Sequence, residues 1–398
     1  MIARLSYRHN YVHHEECIRD TFDGLHYRKL LRKNVTIDGV ERPYKYFSDK
    51  RDIALGLCID GYLLYKQRRN GPSATPILLQ IFNFPPRIRT HLENLLCVGI
   101  IPKRPKMMST FLTPVEDELA TLANGVRTFD AVERAIFDLH AYLIQEQGDI
   151  VAIEKLLGIK GHNAYCPCRN CKMKGVRDIT RRGKIYYIPV TTPDDEHLTR
   201  PSVDPRNLRK RTHAEFNNVL QRMSATRTKG ERNVIGKHYG IREAAILSCV
   251  GSIDLARSIP WDWMHLLCEN VIPKLVDLWT GRHKSLNART EDYELMPHIW
   301  EEIGEETATA VKTIPAAFVR VLGNIAEDRS QFTAESWGFW FMYVAPIVLQ
   351  GRFQKKCYYK HMCLLVDIMK MTLKFEITYR EIDRLEEAIV RWVEQYER

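Results

Sequence analysis

Two aspartates and a pair of cysteines carry most of the chemistry that this 398-residue sequence can suggest. Asp149 opens a short helical pattern of Ile150, Ile153, Leu156 and Leu157, which stops at Gly158, a residue suited to a left-handed cap. Just upstream, residues 135–144 are apolar enough for a buried strand that delivers Asp149 at or just past its C-terminal end. Asp60 follows a second apolar run, residues 53–59, whose continuous hydrophobicity suits a strand buried on both faces. A carboxylate at such a strand end is costly unless it binds a cation or is hydrogen-bonded. The blander reading is an Asp60-Gly61 turn that starts a hairpin. Two adjoining carboxylates repel one another, and two bridging divalent cations remove that repulsion while serving phosphodiester chemistry. Cys168-x-x-Cys171 has the spacing that lets two thiolates share one tetrahedral metal, and His162 with Cys166 could complete such a site locally.

The elements that must position these groups can be read in order. Residues 75–84 and 95–101 follow as strands, and 114–124 as a helix with Thr113 as N-cap and Gly125 at its stop. With 135–144 the order is β-β-β-α-β, an α/β mixed sheet. If the fourth strand lies beside the first, Asp60 and Asp149 become neighbours. A packing arm (1–50) precedes this core (51–165). A cysteine motif and long basic insertion follow (166–258), extended, with short helices near 209–223. Residues 259–398 are mostly α-helical, with helices expected over 334–349 and 357–373 and after the capping-box pattern Thr378-x-x-Glu381. Asp262, His265 and Glu269 share one helix face; a helix start with polar residues on its wet side explains them without a metal.

Composition limits the function. With 45% hydrophobic and 27% charged residues the chain is globular rather than disordered. No apolar run is long enough for a membrane span and no signal-peptide core is present. Ten cysteines, scattered except for the 166–171 cluster, fit a reducing, intracellular compartment. Residues 166–242 hold 18 Lys and Arg against 7 Asp and Glu, whereas the remainder holds 41 against 42. The whole basic excess of the protein therefore sits in one segment, which points to a polyanion such as DNA or RNA rather than to a loop made basic for solubility. Arg169, Lys172, Lys174, Arg181, Arg182, Arg209, Lys210 and Arg211 are its candidate contacts.

Several blocks together resemble the Tnp2-type transposases of CACTA (En/Spm) elements, particularly their fungal relatives. They are Tyr46-Phe-Ser-Asp-Lys-Arg-Asp-Ile-Ala-Leu-Gly-Leu-Cys-Ile-Asp60-Gly61, Gly158-x-x-Gly161-His162 with Pro167-Cys168-Arg169-x-x-Cys171, Trp261-Asp262-x-Met264-His265 with Glu269-Asn270, and Ser336-Trp337. The resemblance implies an RNase H-like core with a large insertion, a nuclear protein that cuts and joins double-stranded DNA with two magnesium ions; a homo-oligomer is compatible with it. It places the first two catalytic acids at Asp60 and Asp149 and the zinc-binding cysteines at Cys168 and Cys171. The family closes its zinc site with two histidines five positions apart, followed by a catalytic glutamate. No two histidines after Cys171 have that spacing. The sequence thus reads as a chain cut short, its last helix running to Arg398 without a stop signal. It holds two of three acids and half a zinc site, so it is expected to be inactive alone. The alternative is a non-catalytic DNA-binding or interaction protein derived from a transposase.

Overall fold

The continuous apolar run 53–59 is explained by what lies on either side of it. In the computed structural model, which describes residues 5–65, 71–102, 107–177, 186–192, 202–284, 286–315, 317–318 and 322–398, the chain divides into two units, Met1–Pro260 and Trp261–Arg398. The first is built on Ile53–Ile59 (β1), Ser73–Ile81 (β2), Leu95–Pro102 (β3), Ser109–Asn124 (α1), Val126–Asp130 (β4), Ala135–Leu139 (β5), Ala141–Gly148 (β6) and Ile150–Leu156 (α2). The sheet runs β6-β1-β2-β3, with β6 parallel to β1 and the other neighbours antiparallel; Tyr62–Leu63 adds two paired residues against the start of β2. Leu55, Leu57, Ile59 and Leu143 pack on one face with Leu112, Val115 and Leu119 of α1 and Ile153 and Leu156 of α2. On the other, Ala54, Phe82, Tyr142 and Ile144 meet Phe22, Tyr27, Tyr46 and Phe47 from the N-terminal arm. A strand covered on both faces has no wet side to alternate with.

Two boundaries differ from the sequence reading. The apolar stretch 135–144 is two strands, not one. Residues 135–139 fold back on 126–130 as a hairpin, and the chain joins the central sheet only from Ala141. Asp130 Oδ1 accepts from the Val132 and Glu133 amides and builds the hairpin turn. Helix α1 starts at Ser109, five residues early, and the Thr113 hydroxyl donates to the Ser109 carbonyl instead of capping the helix. In the basic segment a helix lies where one is expected near 209–223, and a second follows it. The two are His213–Ser224 (α3) and Lys229–Tyr239 (α4), each opened by a threonine capping box, Thr212 with Glu215 and Thr228 with Glu231. Phe216, Val219 and Met223 join the core cluster on the α1 face of the sheet. Arm, sheet and cysteine segment thus belong to one unit.

The second unit is helical. Trp340 is fully buried, with Trp300 and Trp337 edge-on at 6.2 and 6.3 Å and its indole N–H donating to Thr307 Oγ1 at 3.1 Å. Two helical runs widen into π-helix, at Met264–Val271 and at Trp340–Val344. Each wide stretch is followed within two residues by a proline, Pro273 or Pro346. Proline has no N–H for the preceding turn and its ring crowds the carbonyl four residues back, so a wider turn relieves both. Helix Tyr379–Glu397 begins with the capping box read from the sequence: the Glu381 amide donates to Thr378 Oγ1.

Candidate functional site

The parallel ladder between β1 and β6 sets the site. Ile59 and Gly148 are its last partners, so Asp60 and Asp149 leave neighbouring strands at the same end of the sheet, one position beyond them. Neighbouring strands lie about 4.8 Å apart. Asp60 is exposed, and Tyr62–Leu63 continues the pairing of β1 with β2 in the same register, so Asp60-Gly61 interrupts the strand and is not the turn that starts a hairpin. Asp149 is half-buried and is the N-cap of α2, its Oδ1 accepting from the Ala152 amide at 2.6 Å. The stop at Gly158 is as the pattern suggests: its φ is +60°, and a Cβ there would stand 2.4 Å from the Glu243 carbonyl oxygen.

Paired carboxylates are hard oxygen donors of the kind magnesium takes. Among the described residues, however, no group of three or more His, Cys, Asp or Glu side chains is arranged to hold a metal. The donor set at the strand ends therefore fits shared cations only as far as two ligands. One buried acid that the sequence reading passed over lies earlier on β6, paired with Leu57. Glu146 on β6 is 2% exposed, and its Oε1 has no hydrogen-bond partner. Burial, with a smaller push from Glu116, raises its pKa to about 7. Its position in the polar run Gln145-Glu146-Gln147 gave no signal of burial.

The cysteine turn favours a thiolate at Cys168 with the Cys171 thiol beside it. Cys168 Sγ accepts from the amides of Asn170 and Cys171, both at 3.3 Å. The Cys171 thiol first, and then these amides, hold the Cys168 pKa down at about 6, while the Cys171 pKa is driven up. That arrangement suits the first half of a tetrahedral zinc site. The local completion is occupied otherwise: Arg211 Nη2 donates to Cys166 Sγ at 3.0 Å, and His162 Nδ1 meets Glu154 Oε1 at 2.9 Å.

The candidate polyanion contacts divide by burial. Arg211 is buried, its Nε donating to the carbonyls of Cys168 and Cys171, and Arg169 is buried with Nη2 on the Pro260 carbonyl. Both brace the fold instead of facing solvent, because a guanidinium fork satisfies several carbonyls at once. Lys172 is ion-paired to Glu215. Arg209 and Lys210 are exposed. Arg181 and Arg182 lie outside the described residues. In the second unit Asp262 Oδ1 accepts the His265 amide and its Oδ2 lies 2.7 Å from His265 Nδ1; Glu269 stands 3.8 Å from Nε2. Asp262 thus works as the helix start of the blander reading.

Residues 32–227 match the family model described as transposase family tnp2. No curated protein matches the chain. The matched span contains the whole sheet, both aspartates, the cysteine turn and α3. Over that span the chain is similar to the tnp2 transposase family. Among the described residues no helix is long and apolar enough to cross a membrane.

Proposed function

We propose that the first unit is the core of a CACTA-type DDE transposase, an RNase H-like sheet that presents Asp60 and Asp149 to DNA in the nucleus. The carrying observation is the Ile59–Gly148 pairing inside the tnp2-matching span, which sends two carboxylates out of adjoining strands at one end. Two magnesium ions held there would stabilise the attacking and leaving oxygens of a phosphodiester displacement. Asp60 and Asp149 supply oxygen ligands, α2 fixes Asp149 through its cap, and Cys168 with Cys171 offers a half-site for zinc. Basic residues of 166–242 hold the duplex by its phosphates.

Catalysis by this polypeptide alone is expected to stay at background, because no third carboxylate among the described residues joins the pair. The second reading, a non-catalytic DNA-binding protein of transposase descent, is favoured by the basic excess gathered in residues 166–242. Manganese titration followed by electron paramagnetic resonance tests the core claim. Wild type should bind Mn2+, with Asp60→Ala and Asp149→Asn each weakening it; equal binding by all three removes the metal site. A plasmid-nicking assay with the same proteins decides between the two readings, since nicking abolished by either substitution would establish autonomous catalysis.

A further inference from the structure

A cavity of about 510 Å³ opens between the cysteine turn and helices α3 and α4. We propose that it is a phosphate pocket that receives one nucleotide unit of a nucleic-acid strand, with Lys172, Lys174, Arg209 and Arg222 as its cationic wall. The proposal rests on the nucleic-acid reading above and adds to it a discrete site, apart from the two aspartates, that includes residues no sequence motif singled out.

Charge carries the argument. Among the described residues that line the cavity, five are Lys or Arg and one, Glu215, is acidic. The floor is apolar, from Phe216, Val219 and Ile241. Like charges held round a concave, low-dielectric surface repel one another and concentrate a positive potential, which an entering anion relieves. His238 registers that field: its pKa is lowered first by desolvation and then by Lys174 and Arg222.

The wall is also fixed in advance. Arg211 is locked by Cys166 Sγ and two carbonyls, so the cysteine turn sets one side of the cavity. Arg222 Nη1 donates to the Tyr239 hydroxyl at 2.7 Å, and its guanidinium lies 5.2 Å from that ring's centroid. Donors held in place before binding lose less entropy when the ligand arrives. Nearby, Lys174 and Lys237 lie over Tyr165, and Lys237 also over Tyr186. Cations interleaved with aromatic rings suit a strand that offers phosphates and bases alternately, more than an acidic peptide.

Fluorescence anisotropy on the full chain, in EDTA so that the aspartate pair holds no cation, tests the pocket. The probes are one single-stranded oligonucleotide with a 5′-phosphate and the same strand with a 5′-hydroxyl. Asn218→Glu places a carboxylate on the cavity wall from the exposed side of α3, and Arg209→Ala removes a cation. Arg232→Ala, on exposed α4 outside the lining, makes the same unit change in net charge as Arg209→Ala. Asn218→Glu and Arg209→Ala should weaken binding about tenfold and Arg232→Ala less than about twofold, all three melting like wild type. Losses confined to the phosphorylated probe would assign the pocket to a strand end, and equal losses on both probes to an internal phosphodiester; either supports the proposal. Equal losses for all three variants, or none for the cavity pair, overturn the pocket while leaving nucleic-acid binding intact. A wild-type protein that binds neither probe overturns both.

Discussion

A Cβ placed on Gly148 would stand 2.8 Å from the carbonyl oxygen of Ile59 and 3.1 Å from the Ala152 side chain. The residue before Asp149 is therefore small because the last ladder rung and the first turn of α2 both close over it. Gly148→Ala should push β6 from β1 just where the two aspartates emerge. A loss of about 1–3 kcal/mol is expected by urea denaturation, together with weaker Mn2+ binding although no ligand has changed. Unaltered values for both would show that the strand ends have room to spare.

Asp149 does two jobs that substitution can separate. Asp149→Ala loses the bond from the Ala152 amide and should cost about 1 kcal/mol. Asp149→Asn keeps a capping oxygen and should melt near wild type. Both should lose metal affinity. Equal destabilisation by the two variants would mean that the cap contributes nothing.

Glu146 makes stability pH-dependent. Its folded pKa, about 7, lies above the ordinary glutamate value near 4.3, so the folded state holds its proton more tightly than the unfolded chain. The stability it contributes is complete below the unfolded value and is lost as pH rises through about 7. Between about pH 5 and pH 8 the first unit should lose about 2 kcal/mol, and Glu146→Gln should flatten that slope. A slope unchanged in Glu146→Gln would assign the titration elsewhere.

The cysteine turn predicts a selective footprint. Zn2+ should protect Cys168 and Cys171 from iodoacetamide and leave Cys166, which faces Arg211, as it was. Mass-spectrometric mapping of the alkylated sites reads this directly. Protection of Cys166 along with the other two would make it a ligand.

In the second unit, Thr307→Val deprives the buried Trp340 indole of its acceptor. The expected cost is about 1–3 kcal/mol in that unit's thermal transition, since a buried donor then stays unpaired. An unshifted transition would show that the indole finds another partner.

What the residues settled alone was local. The apolar run into Asp60, the helix start at Asp149, its stop at Gly158 and the Thr378 capping box are short-range matters of side-chain periodicity and backbone preference, and they sit where the pattern puts them. Where the pattern failed, long-range contacts had decided. Residues 135–144 are mostly apolar, and only the pairing of Val126 with Leu139 and of Ala141 with Ile53 divides them into hairpin and core strand. Arg211 and Arg209 are indistinguishable as letters in a basic run. Tertiary packing turned one inward to hold the cysteine turn and left the other at a cavity mouth. The neighbourhood of Asp60 and Asp149 belongs to this second kind, since a parallel ladder joins residues far apart in the chain and no local preference encodes which strands will meet.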